Sequence, residues 1–344
     1  MSRLGMCSTA KQENRSTTVS PGGNELQTRG TRLHRGALTA IAAICMGVTA
    51  ASAPGAPSGA AQREFASPDE AVEALVAATR ADQVENLLAI LGPRGTKLVH
   101  SGDPIADRDG REHFIAAYDQ AHRLEYDGSK QAVLLVGSED WPLPIPLVHD
   151  GGGWRFDTRS GEQQIIDRRV GRNELNVIEV CRAYVQAQRE YADLQASGGG
   201  ERQYAQRFMS RPGQRDGLYW PVTGEEAESP LGPLVAQARA EGYVSGSGGG
   251  KPHPYYGYYY RILTRQGAHA SGGARNYVAA DGRMSGGFAL LAYPAAYGDS
   301  GIMTFIVNQN GIVRERNLGP HTARLARAIE EYDPDASWRI ALDH

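Results

Sequence analysis

The chain has 344 residues, a net charge of -3 and 22% charged side chains. That balance gives no global attraction to nucleic acid or anionic lipid, and the length allows two domains. Three cysteines, Cys7, Cys45 and Cys181, exclude a disulfide-rich framework.

Residues 1–61 read as an address rather than as fold. The first thirty or so are polar and aperiodic, as in a disordered leader. Arg32, His34 and Arg35 then precede the apolar run ALTAIAAICMGVTAA, and the small residues ASAPGAPSGAAQ follow. This is the order of a secretory signal peptide. The run is short for a spanning helix, which needs roughly 20 apolar residues. Cleavage before the fold would leave a periplasmic or secreted protein with no stable membrane span. An uncleaved anchor is the alternative.

Folded sequence starts near Phe65, in a region predicted to be an α+β domain over 62–170. Ser67-Pro68-Asp69-Glu70 is a helix start, with Ser67 as cap and Glu70 completing a capping box. A second helix is predicted after Asp82 and stops at Gly92-Pro93. A third is predicted near Asp109-Gly110 and carries Phe114, Ile115 and Tyr118. Strands follow at 132–136, 143–148 and 154–157, with Gly151-Gly152-Gly153 turning between the last two. Pro142, Pro144 and Pro146 restrict the middle strand to an edge. The order is similar to that of cone-shaped domains such as the nuclear-transport-factor-like fold, with helices packed on a small curved antiparallel sheet.

Residues 171–245 are predicted to connect. One long helix is expected over 173–194, with Leu175, Ile178, Cys181, Val185 and Ala192 near one face. A short helix is expected in ERQYAQRFMS, then a turn into an extended piece. SGSGGGKPHP reads as a flexible stretch.

The region 246–344 is predicted to be a mainly antiparallel sheet with a closing helix. Strands are expected at 256–264, 276–280, 287–292, 302–307 and 312–316. Asp281-Gly282 and Asn310-Gly311 are tight-turn signals, and Thr322 opens a helix to Glu331.

Several stretches together resemble a family catalogued as domain of unknown function 2950. They are LGPRGTKLVHSGDPIADRDGREHFIAAYDQAHRLE, EDWPLPIPLVHDGGGWRFDTRSGE, RRVGRNELNVIEVCRAYVQAQREYA, DGLYWP and MTFIVNQNGIVRERNLGP. The resemblance covers nearly all of 65–338. It implies an exported protein of Gram-negative bacteria and carries no reaction, cofactor or catalytic residue.

The residues themselves offer few catalytic patterns. His100 with Asp103, Asp107 and Asp109 could gather a cation, but Ile105 breaks the calcium-loop alternation, and aspartates also cap helix starts. No zinc spacing occurs, and no cofactor or metal is predicted. Ser285 in GRMSGG lacks the nucleophile-elbow pattern. Cys181 lies in an apolar stripe, where a small core residue is expected. GSGGGK lacks the serine or threonine of a phosphate loop.

Three aromatic features could bind ligand: Trp141 with its alternating prolines, the Tyr219-Trp220 pair, and the leading edge of the tyrosine block at His253, Tyr255, Tyr256 and Tyr258. The expected function is therefore an exported, non-catalytic binding or assembly module of the cell envelope. Its partner would be another envelope protein or a glycan. The alternative is an envelope hydrolase or metal-dependent enzyme, with His100, Asp103, His253 and Ser285 meeting between domains.

Overall fold

A computed structural model describes residues 61–222, 228–243 and 253–342. The signal-peptide segment and the glycine-rich stretch 246–251 lie outside these residues.

The chain begins with α1 (Pro68–Arg80), α2 (Val84–Leu91), a 3-10 turn at Pro93–Gly95, α3 (Thr96–Val99) and α4 (Pro104–Gln120). The predicted cap forms with one shift: Ser67 Oγ accepts the Glu70 N–H at 3.1 Å, while Glu70 accepts the N–H of Ala66, one residue before the cap, at 3.0 Å. A sheet follows, made of β1 (His122–Asp127), β2 (Gln131–Val136), β3 (Trp141–Pro142), β4 (Leu147–His149) and β5 (Trp154–Phe156). Its order is β1-β2-β4-β5, with β3 also on β2, and every pairing is antiparallel. Contrary to expectation, β4 is an interior strand. The three prolines precede its ladder: Pro142 sits in β3, Pro144 lies between the strands, and Pro146 contributes only its carbonyl, which accepts the Asp157 N–H at 2.7 Å. α1, α2 and this sheet enclose the first core, built from Leu75, Ile90, Leu134, Leu147 and Phe156 among others.

α5 spans Thr158–Ser197, 40 residues, or about 60 Å at 1.5 Å per residue. It starts fifteen residues before the expected position, because tertiary contacts hold a stretch of weak helical signal. Gly161 lies so close to Pro144 that a Cβ would stand 2.1 Å from the Pro144 oxygen. Arg169 donates to the Lys97 and Asp299 carbonyls at 2.7 and 2.9 Å. Further on, Val177, Cys181, Tyr184 and Val185 enter the second core.

The chain returns through α6 (Gly232–Ala240) to β6 (Tyr258–Leu263), β7 (Arg265–Gln266), β8 (Arg275–Asn276), β9 (Ala289–Pro294), β10 (Met303–Asn308), β11 (Arg314–Asn317), α7 (Thr322–Ala328) and β12 (Arg339–Ile340). The second sheet is ordered β12-β11-β10-β9-β6, again antiparallel, and β7-β8 form a small ribbon. The architecture is α+β. The expected helix in ERQYAQRFMS is absent: the segment is extended, because the Gln188 side chain bonds both the N–H and the carbonyl of Ala205, and Tyr204 bridges to Met284. The expected strand over 276–280 shrinks to β8 and a bridge from Val278 to Met284, closed by the Asp281-Gly282 turn. The Asn310-Gly311 turn forms, with Gly311 at φ 79°. α7 ends at Ala328, short of Glu331, and its first residue Thr322 bonds the Gly319 carbonyl.

Candidate functional site

The first lobe contains a hollow of about 580 Å³, open on one side. α4 covers it. The inner face of α4 carries Ala106, Asp107, Gly110, Arg111 and Phe114, spaced three and four apart, so they share one helical face. No residue of α4 is buried. Its second half still packs on the first core through Phe114, Ile115, Ala117 and Tyr118, each partly buried, while its first half borders the hollow. Leu75, Leu87, Leu91 and Val99 line the far side, and Leu143, Pro144 and Ile145 form a wall. The remaining side is α5, through Ile165, Arg168, Arg169 and Arg172, which again follow the helical repeat.

Four arginines and two aspartates also line the hollow; Arg168, Arg172 and Asp109 are exposed, whereas Arg169 is buried. Arg111 is held by Asp82 at 2.7 Å, yet its Nε is buried with no hydrogen-bond partner among the described residues. Arg169 is committed to two backbone carbonyls, and burial lowers its pKa, an effect opposed by the carboxylates of Asp107 and Asp299. Asp107 accepts the Ser101 N–H through both oxygens, at 3.0 and 3.2 Å. Burial raises its carboxyl pKa; the Ser101 bonds, then Arg169 and Arg111, work the other way. Asp109 stands 3.2 Å from the Nδ1 of His113. Arg168 lies over the ring of Trp141 at 6.0 Å.

The acidic loop serves the fold. Asp103 is 1% exposed and caps α4, accepting the Ile105 and Ala106 N–H groups at 3.2 Å. Its second oxygen reaches the other lobe, accepting the Tyr243 hydroxyl and the Gly257 N–H, each at 2.8 Å. Burial, and then the Asp103 carboxylate, pushes the Tyr243 hydroxyl well above its ordinary range, so it remains a donor.

Gly257 belongs to a turn absent from the sequence expectation of a strand starting at 256. Tyr255 and Tyr258 exchange backbone hydrogen bonds, and Tyr256 and Gly257 between them take φ of 50° and 73°. Positive φ at both central positions is the geometry of a type I′ turn. A bulky residue in this conformation is strained. It is held by its hydroxyl, which donates to Glu241 at 2.8 Å and accepts from Gln237 at 3.0 Å. The Tyr255 hydroxyl is buried without a hydrogen-bond partner among the described residues. Burial, and then the neighbouring Tyr256, pushes its ionisation well above the ordinary phenol range.

The sequence candidates therefore separate. Trp141 is 55% exposed and stands by Arg168 at the hollow's mouth, while its neighbours Leu143, Pro144 and Ile145 line the interior. Tyr219 and Trp220, expected to be exposed, are buried in the second core. Arg239 and Arg215 lie over their respective rings. Tyr258 is fully buried and donates to the Met303 carbonyl at 3.0 Å. Tyr255 and Tyr256 pack on Tyr243, and His253 is exposed.

The proposed catalytic grouping does not assemble. His100 and Ser285 are both exposed, and Asp103 is enclosed by its four donors. Ser285 lies near the Leu263–Ala289 end of the β6–β9 pair, whereas His253 and Tyr255 lie beyond the Tyr258–Pro294 end. Six residues of strand separate those ends, roughly 20 Å. Among the described residues, no three of the histidines, cysteines, aspartates and glutamates group to hold a metal ion.

A second hollow of about 330 Å³ lies beside α7. Its charges satisfy one another: Arg265 with Glu330 and Glu331, and Arg316 with Asp335. The arginines of the first hollow do carry a signal in the sequence. It is the spacing of Ile165, Arg168, Arg169 and Arg172 on one helical face, ahead of the helix expected from 173.

No curated protein and no solved structure matches the chain. A family profile matches residues 62–341, and the chain thus belongs to the family described as protein of unknown function (DUF2950).

Proposed function

We propose that the protein is an exported, non-catalytic binding module of the cell envelope, and that it takes a small, largely apolar ligand in the hollow beneath α4. The hollow carries this reading. It falls within the range of small-molecule sites, about 300–1,000 Å³, and its walls are leucine, valine, isoleucine, proline and phenylalanine side chains. The polar groups at its mouth are mainly arginines, which stay protonated and act as fixed charges. Export rests on the order of charged, apolar and small residues before the fold.

Two variants test the reading. Gly110 lines the hollow, and a Cβ there would meet nothing within 4 Å. Gly110→Leu fills space without a clash and replaces a poor helix former, a gain of up to about 1 kcal/mol. Ala106→Leu fills the same space one turn earlier. The full-chain protein should bind the neutral dye Nile red saturably. Both variants should keep the fold by circular dichroism and lose dye affinity at least about tenfold. Undiminished binding by folded variants, or no saturable binding by the parent, would overturn the reading.

A further inference from the structure

We infer that the ligand of this hollow is a single-chain amphiphile with one acidic head group; the inference rests on the hollow being a binding site. Size limits the apolar part. At about 30 Å³ per water- or methylene-sized group, 580 Å³ corresponds to about twenty heavy atoms. That is the size of one chain of medium length.

Charge specifies the head. Asp107 is occupied by the Ser101 N–H and Asp109 faces His113. Arg168 and Arg172 lie one turn apart on α5, are exposed at the mouth, and have no acidic partner among the described residues. The buried Nε of Arg111 adds an unpartnered donor on the opposite side. These cations border an apolar wall in a chain whose net charge is -3. A neutral ligand would leave Arg168 and Arg172 without anionic partners, and a polyanion would meet leucines. An acid on an apolar chain matches both surfaces. Trp141 beside Arg168 extends the apolar surface outward and steadies that guanidinium at the mouth.

The test is displacement of Nile red from the full-chain protein at pH 8 by decanoate, decyl phosphate and decanol. The same displacements are repeated with an Arg168→Gln/Arg172→Gln double variant. At least one of the two acids should displace the dye about tenfold better than decanol, equivalent to about 1.4 kcal/mol. The better acid identifies the head group. The double variant should lose most of that advantage, read as the ratio of acid to decanol displacement within the same protein. If decanol matches both acids, or the advantage survives in the double variant, the acidic-head inference fails while the cavity stands. If the dye does not bind at all, the cavity reading fails first. Gly110→Leu should abolish displaceable binding of all three, and an acid advantage that persists in it would place the acid elsewhere and overturn the inference.

Discussion

Asp103 joins the two lobes, and its removal has a cost that follows from its four donors. One oxygen caps α4 through Ile105 and Ala106; the other takes the Tyr243 hydroxyl and the Gly257 N–H, both buried. Losing an N-cap costs about 1 kcal/mol. Each buried donor left without an acceptor costs about 1–3 kcal/mol. Asp103→Ala should therefore destabilise the protein by about 3 kcal/mol or more. Asp103→Asn keeps one acceptor oxygen, so it serves either the cap or the second lobe and should lose roughly half as much. Tyr243→Phe removes one donor and leaves the rest, at about 1 kcal/mol. Urea unfolding followed by tryptophan fluorescence measures all three. The Asp103–Tyr243 double-mutant cycle should show a coupling of about 1 kcal/mol. An Asp103→Ala loss below about 1 kcal/mol, or additive single changes, would refute the link.

Other expectations follow from the same packing. Asp107 has a raised folded-state pKa, so its contribution is fully present below the ordinary carboxyl value and is lost as pH rises through the folded pKa. Asp107→Asn should gain stability relative to the parent at neutral pH, and the difference should shrink as pH falls towards 4; urea midpoints at both pH values decide this. Cys181 is fully buried, with its thiol pushed up to about 12. The native protein should resist iodoacetamide at pH 8 and react on unfolding, as mass spectrometry would show; rapid native alkylation would contradict its burial. Gly161→Ala forces a Cβ against the Pro144 backbone. It should cost several kcal/mol or displace the 143–145 wall, seen as a lowered melting temperature and weakened dye binding.

How much of this was legible in the sequence differs from element to element. The start of α1 was legible because its cap is local: Ser67, Pro68 and Glu70 act within one turn. Asn310-Gly311 was legible for the same reason. The first half of α5 was not, because its support comes from Pro144, Lys97 and Asp299, distant in sequence. Tyr256 read as strand because tyrosine favours strands; its left-handed turn is held by Glu241 and Gln237. Tyr219 and Trp220 looked like a surface patch, but neighbours from α5 and the second sheet share their core. The aspartates of HSGDPIADRDG suggest a cap for a helix near Asp109-Gly110; the helix starts five residues earlier, at Pro104, and Asp103 caps it while bonding Tyr243 and Gly257, 140 and 154 residues away. A hollow leaves even less trace: it is lined by residues of five helices and the 143–145 segment, brought together only by the fold.

The central claim is that the space beneath α4 holds an acidic single-chain ligand. Photolabelling addresses it most directly. The full-chain protein is illuminated with a medium-chain fatty acid bearing a diazirine near its terminal methyl, and the crosslinks are mapped by peptide mass spectrometry. The account predicts crosslinks at Phe114, at Leu143 to Ile145 and at Ile165, suppressed by excess decanoate and absent in Gly110→Leu. Crosslinks confined to the second lobe, or unaffected by Gly110→Leu, would contradict it.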